Sequence, residues 1–400
     1  MSGQCLALFS GKGGVGRTLL TAAFGAHLAS EGKRVALVDL NTGMRGLDMA
    51  LGVESRVAFD LGDVLDGLCS ARQALVKAPG EMRLLAARQV RDSETLENEL
   101  RRATQEACKD GKAALALSGG IDSAALARFM PKGSTAYTFR CVVPGMQVTD
   151  ESPGAARYAE ACGLKHKIID IYWEDFEALT PKLMKRKGMP VHSIEIQIYK
   201  AALQAKRDGF ERLIFGETAD VIYGGLDGLL SKDWLAGDFI ERFAFVPAWK
   251  VLRDARLVVK PMLAYERDGH IDPHEFISQF FIREVVTSYF NACCCADIEA
   301  TLPYLGTYLD APLDYARVRG GENKYLVREM FRRLYPGFVA PKKLPMPRAT
   351  NEWFKDWKGP TRPEFLPHCT DNMTGDQKWL VYCLEMFLNL LDTNFAGSAG

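Results

Sequence analysis

Two serines, two glycines and an aspartate stand together at Ser118-Gly119-Gly120-Ile121-Asp122-Ser123. Adjacent glycines let a backbone turn tightly and bring its amides against an anion. The hydroxyls of Ser118 and Ser123 add donors. A helix opening at Asp122-Ser123 adds unpaired N–H groups and a positive dipole end. The loop carries no lysine. Such a cradle suits a pyrophosphate expelled from ATP as one unit, whereas a Walker loop brings a lysine to the β- and γ-phosphates. The predicted chemistry is therefore reaction at the α-phosphate of a nucleotide, that is, adenylation. Ser118, Gly119, Gly120, Asp122 and Ser123 are the candidate nucleotide-binding residues.

A strand must deliver this loop and a helix must leave it. Residues 113–117 are a short apolar run that reads as the strand, and residues 124–130 read as the helix. A second glycine-rich loop, Gly11-Lys12-Gly13-Gly14-Val15-Gly16-Arg17-Thr18, has the same setting. An expected strand over residues 5–9 precedes it and an expected helix over residues 19–29 follows, with another strand expected over 34–39. Residues 94–110 are charged and helix-compatible, with Leu96 and Leu100 four apart, and bridge into a second domain. Near the C-terminus, Leu380, Cys383, Leu384, Phe387, Leu388 and Leu391 share one helical face. Trp353, Phe354 and Trp357 read as core, and residues 395–400 as a disordered tail.

Four hundred residues exceed one ordinary hydrophobic core, so two or three domains are expected. Fifty lysines and arginines balance fifty aspartates and glutamates, which supports neither a nucleic-acid nor a membrane partner. No apolar run is long enough to span a bilayer, and the N-terminus lacks a signal-peptide layout. Ten cysteines without secretory context predict reduced thiols and a cytoplasmic protein. Cys293-Cys294-Cys295 points in three directions on a helix and predicts packing rather than metal binding.

The wording of the Gly11–Thr18 loop, then Asp39, then Gly46-Leu47-Asp48 and Asp60-Leu61-Gly62-Asp63-Val64-Leu65, resembles the MinD/ParA family of deviant-Walker ATPases over residues 1–96. Only part of such a P-loop α/β domain is present. The resemblance makes Gly11, Lys12, Gly13, Gly14, Gly16, Arg17 and Thr18 candidate nucleotide contacts, and a nucleotide-sandwich homodimer reached across by Lys12 the implied assembly. Arg17 stands where that family carries a lysine.

From about residue 97 to 365 the chain resembles the synthetase domain of asparagine synthetases, of the pyrophosphate-loop ATP pyrophosphatase group. Three segments beyond the loop carry the likeness: Thr149-Asp150-Glu151-Ser152-Pro153; Phe215-Gly216-Glu217-Thr218-Ala219-Asp220-Val221-Ile222-Tyr223-Gly224-Gly225; and Asn323-Lys324-Tyr325-Leu326-Val327-Arg328-Glu329 followed by Pro341-Lys342-Lys343-Leu344-Pro345-Met346-Pro347. The implied fold is a parallel α/β sheet with a helical C-terminal part, and residues 366–400 are set apart as a helix and tail.

Adenylating a carboxylate places negative charge on the α-phosphate and on pyrophosphate, which Mg²⁺ neutralises through hard oxygen ligands. Asp122 and Asp220, the latter just beyond an expected strand at residues 212–215, are the candidate metal ligands. The resemblance implies that Lys342 or its neighbour Lys343 stabilises charge at the α-phosphate, and that Glu217 takes the proton of an attacking amine. Val221, Thr301 and Gly306 depart from the family pattern and bear on the acceptor substrate. Residue 2 is serine, and the N-terminal third is MinD-like, so no glutaminase is expected in this chain. The expected activity is an AMP- and pyrophosphate-forming amide ligase acting on a small carboxylate. Its nitrogen comes from free ammonia, an amine or a separate glutaminase. The alternatives are a nucleotide-binding regulatory or assembly protein with an inactive synthetase fold, and another pyrophosphate-loop ligase of the NAD synthetase or tRNA-modification kind.

Overall fold

The computed structural model describes residues 3–9, 16–40, 46–53, 56–88, 90–307, 309, 311–341 and 346–396. The chain divides into two compact units, residues 1–96 with 305–312, and residues 97–304 with 313–400.

In the first unit, α1 (Arg17–Ser30) leads to β1 (Ala36–Val38), and β2 (Val76–Lys77) turns back into β3 (Arg83–Leu85). The sheet order is β1-β3-β2, with β1 parallel to β3 and β2 antiparallel to it. Ala22, Leu37, Leu47, Val53, Ala78, Met82 and Leu84 form its buried cluster. Asp60 and Asp63 cap the short helix Leu61–Leu65 reciprocally, and Arg91 pairs with both carboxylates. The strand expected over residues 5–9 does not form, and Leu6 and Phe9 are exposed. An apolar run becomes a strand only where a neighbouring strand takes its N–H and C=O groups. None of β1, β2 or β3 pairs with these residues.

The boundary between the units falls inside α2 (Ser93–Cys108). The second unit is then wound as β4 (Ala113–Ala116), α3 (Ile121–Ala127), β5 (Thr135–Cys141), α4 (Ser152–Cys162) and β6 (Lys165–Ile171). Helices α5 (Trp173–Lys187) and α6 (Ser193–Arg207) return the chain to β7 (Arg212–Phe215). A small antiparallel sheet of β8 (Trp234–Leu235), β9 (Glu266–Arg267) and β10 (His270–Ile271) follows. It precedes α7 (Ile282–Cys295) and β11 (Glu299–Thr301), and the chain ends through α8 (Tyr325–Leu334) and α9 (Gly375–Ala396).

The main sheet runs β11-β7-β4-β5-β6 with every pairing parallel. Strand β4 is buried along its whole length, which is why it reads as a continuous apolar run rather than an alternating one. The chain winds outward from β4 through β5 to β6, then crosses back to place β7 on the other side of β4. That reversal opens a crevice beyond the carboxyl ends of β4 and β7.

Buried Phe354 and Trp379 join an aromatic cluster with the half-buried Trp173, Trp353, Trp357 and Tyr382. Helix α9 is tied to the unit by the Trp379 indole N–H, which donates to the Val191 carbonyl at 3.0 Å. It runs through Phe395 and Ala396, two residues expected in the tail, and residues 397–400 of that tail lie outside the described residues. In α7, Cys293 is buried, Cys294 exposed and Cys295 half-buried, so the three thiols diverge.

Candidate active site

The crevice holds a cavity of about 320 Å³ whose wall includes the whole of Ser118–Ser123, together with Glu151, Arg157, Glu217, Asp220, Tyr289, Lys324 and Arg328. Strand β4 delivers the loop, β7 delivers Glu217 and Asp220, and α7 and the start of α8 deliver Tyr289 and Lys324.

The loop is shaped from within. Ser123 Oγ accepts from the Ser118 amide at 3.0 Å and lies 2.9 Å from Ser118 Oγ, which in turn accepts from the Gly120 amide at 3.1 Å. The serine hydroxyls thus set the backbone that faces the cavity. Gly120 caps α3 with an extended backbone, φ −87°, so neither loop glycine adopts a left-handed conformation. Close approach is what the site requires of glycine. A Cβ on Gly216, at the end of β7, would lie 2.7 Å from the Ser123 nitrogen.

Asp220 sits in the first turn of the short helix Ala219–Ile222. Its N-cap, Thr218, is fully buried with φ +72°, an unusual conformation for a β-branched residue. The next residue, Val221, is buried at 2% exposure. The Lys324 ammonium lies 2.6 Å from Asp122 Oδ2 and 2.9 Å from Asp220 Oδ1. Burial alone would push that ammonium toward its neutral form, but the two carboxylates more than offset it and hold the pKa above the usual lysine value. Lys324 stands within the Asn323–Glu329 segment, where its spacing alone assigns it no role.

Glu217 accepts a hydrogen bond from the Tyr289 hydroxyl at 2.5 Å and another from the Thr218 amide at 3.0 Å. Its low-dielectric surroundings raise its pKa, the two hydrogen bonds pull it back, and the Asp220 and Asp122 charges raise it again. Burial and the Glu217 charge drive the Tyr289 phenol far above its ordinary value, so Tyr289 is a donor to that carboxylate. Tyr289 was not picked out in the sequence. It is 72 residues from Glu217 and carries no local signal.

Lys342 and Lys343 lie outside the described residues, while Pro341, Met346 and Pro347 on either side of them line the cavity. Arg157 is exposed at the cavity wall, and the Arg328 guanidinium is held by the Asn323 carbonyl and side chain. In the first unit, Gly11, Lys12, Gly13 and Gly14 lie outside the described residues. Gly16 caps α1 with φ +81°, and Arg17 and Thr18 open that helix. Among the described residues, no helix is long and apolar enough to cross a membrane.

Comparison with known proteins separates the two regions. Over 75 residues the chain is 51% identical to the septum site-determining protein MinD of Bacillus subtilis, covering 19% of this chain and 28% of that one. Against MinD of Synechocystis the match is 41% over 109 residues, covering 27% and 41%. The chain therefore spans well under half the length of these curated relatives. A solved NH3-dependent NAD synthetase from Campylobacter jejuni aligns with 17% identity and a TM-score of 0.23, over 34% of this chain and 61% of that one. Residues 95–304 match the family model described as asparagine synthase, which is more than half of the chain. The chain belongs to the asparagine synthase family, a family of pyrophosphate-loop ligases that use ATP.

Proposed function

We propose that the protein is an amide-forming ligase of the asparagine synthetase type, which adenylates a small carboxylate and passes the acyl group to ammonia or an amine. The observation that carries this reading is the convergence of the Ser118–Ser123 loop, Asp122, Asp220 and the Glu217–Tyr289 pair on one cavity. In the first step a carboxylate oxygen of the substrate attacks the α-phosphorus of ATP. The bond to the bridging oxygen breaks, and pyrophosphate leaves toward the loop amides. In the second step the amine nitrogen attacks the acyl carbon, the acyl–phosphate bond breaks, and AMP leaves.

Asp122 and Asp220 would supply the carboxylates for Mg²⁺, and their hard oxygen donors fit that ion. When bound, it would neutralise charge on the leaving pyrophosphate. Glu217 accepts the proton that the attacking amine loses. Tyr289 favours the ionised form of that carboxylate by donating to one of its oxygens, while the Thr218 amide donates to the other. Lys342 or Lys343 would stabilise the charge that builds at the α-phosphate. In this reading the nitrogen comes from free ammonia, an amine or a separate glutaminase.

Pyrophosphate release from Mg-ATP tests this directly, with aspartate and other small carboxylates, with and without ammonium. Release that requires a carboxylate, and is lost in Asp122→Ala, is the expected result. A folded chain that binds ATP yet never releases pyrophosphate with any carboxylate and amine would move the reading to a nucleotide-binding regulatory protein.

A further inference from the structure

Magnesium is commonly held by one or two carboxylates, with water and substrate phosphates completing its shell. This site follows that pattern in its donor set. Two carboxylates converge, and among the described residues no group of three or more histidine, cysteine, aspartate or glutamate side chains could hold a metal ion. Yet the place between them is taken. The Lys324 side chain reaches both carboxylates, and the residue is only 4% exposed. A divalent ion and this ammonium compete for the same oxygens.

We propose that Lys324 is an exchangeable counterion: its ammonium holds Asp122 and Asp220 in the nucleotide-free protein, and magnesium replaces it there only when carried in on nucleotide phosphates. This rests on the metal assignment of Asp122 and Asp220 in the proposed function.

Three features argue for the exchange. A bare ion approaching the free protein gains two carboxylates but must strand a buried ammonium, and a buried unpaired charge is costly. An ion arriving on a polyphosphate brings phosphate oxygens that can accept the displaced ammonium, so no charge is left unpaired. The movement is also confined to the side chain. Lys324 caps α8 with φ +52° and ψ +41°, and its backbone carbonyl accepts from the Arg328 amide at 2.9 Å. The Cα is thereby tied to the helix start, so the exchange asks only for rotation about the bonds of the four-carbon stem. Lys324 then serves twice: it keeps two neighbouring carboxylates together before substrate arrives, and it pairs with departing phosphate afterwards.

Mn²⁺ binding, followed by electron paramagnetic resonance on the full chain, tests the exchange without any turnover. In wild type, Mn²⁺ alone binds weakly and Mn²⁺ with inorganic pyrophosphate binds well. Lys324→Met should tighten binding of Mn²⁺ alone by about tenfold or more, as expected for removing one adjacent positive charge. Adding Asp220→Asn to that variant should abolish the gain. Wild type that already binds Mn²⁺ alone as tightly as it does with pyrophosphate overturns the exchange, and this measurement needs no variant to fold. A folded Lys324→Met with unchanged affinity overturns it as well. If Asp122→Asn and Asp220→Asn leave binding of Mn²⁺ with pyrophosphate untouched, the metal assignment itself falls and takes the exchange with it. Ligase turnover can fail or succeed independently of all these readings.

Discussion

At the scale of single residues, the site turns on how one carboxylate is kept charged. Glu217 must be ionised to accept a proton, yet its surroundings favour the neutral form. The rate is therefore expected to fall as pH drops through a pKa lying above the ordinary carboxylate range. The Tyr289 hydroxyl opposes that tendency, because a donor to the ionised form lowers the pKa of an acid. Tyr289→Phe removes the donor, so the acid limb of the kcat/KM profile should move to higher pH. At alkaline pH, where Glu217 is ionised in both proteins, the variant should recover most of its rate if Tyr289 acts only through Glu217. An acid limb that stays in place, with activity lower at every pH, would show that Tyr289 does not tune this carboxylate.

At the scale of elements, the site depends on how closely β7 can approach the loop that leaves β4. Gly216 is where they meet, and the three atoms nearest to an added Cβ there all belong to the backbone of Asp122 and Ser123. No rotamer change can relieve that clash. Gly216→Ala should cost about 1–3 kcal/mol in urea unfolding, in the range of an overpacked core, and should weaken ATP binding by displacing the loop from Glu217. Wild-type stability with wild-type nucleotide affinity would remove this glycine from the argument. The same junction explains what was legible in the sequence. The Ser118–Ser123 loop and the strands on either side of the crevice carry their signal locally, in apolar runs and glycine spacing, and residues 212–215 form the strand expected there. Lys324 is 202 residues from Asp122, and its partnership exists only because the crossover to β7 brings Asp220 beside the loop. Residues 5–9 failed as a strand for the opposite reason. Their composition was right, but strand pairing is a property of neighbours rather than of a segment.

At the scale of the whole molecule, two cores of unequal size predict two unfolding events. Among the described residues, the first unit's buried cluster is seven residues, three of them (Ala22, Val53 and Ala78) no larger than valine, beside Leu37, Leu47, Met82 and Leu84. The second unit has a buried parallel sheet and an aromatic cluster around Trp379. Small cores stabilise less, so the first unit should melt at the lower temperature. The tryptophans make the assignment clean: Trp173, Trp234, Trp249, Trp353, Trp357 and Trp379 are all six in the chain, and all lie in the second unit. Tryptophan fluorescence therefore follows only that unit, while far-ultraviolet circular dichroism follows both. The dichroism melt should begin below the fluorescence melt. A non-hydrolysable Mg-ATP analogue at a hundred times its Kd should raise the fluorescence transition, through about 2.7 kcal/mol of linkage. If the early dichroism transition rises with it, the MinD-like unit binds nucleotide too. Coincident melts by the two probes would mean that the chain unfolds as one cooperative body, and the separate-core argument would be wrong.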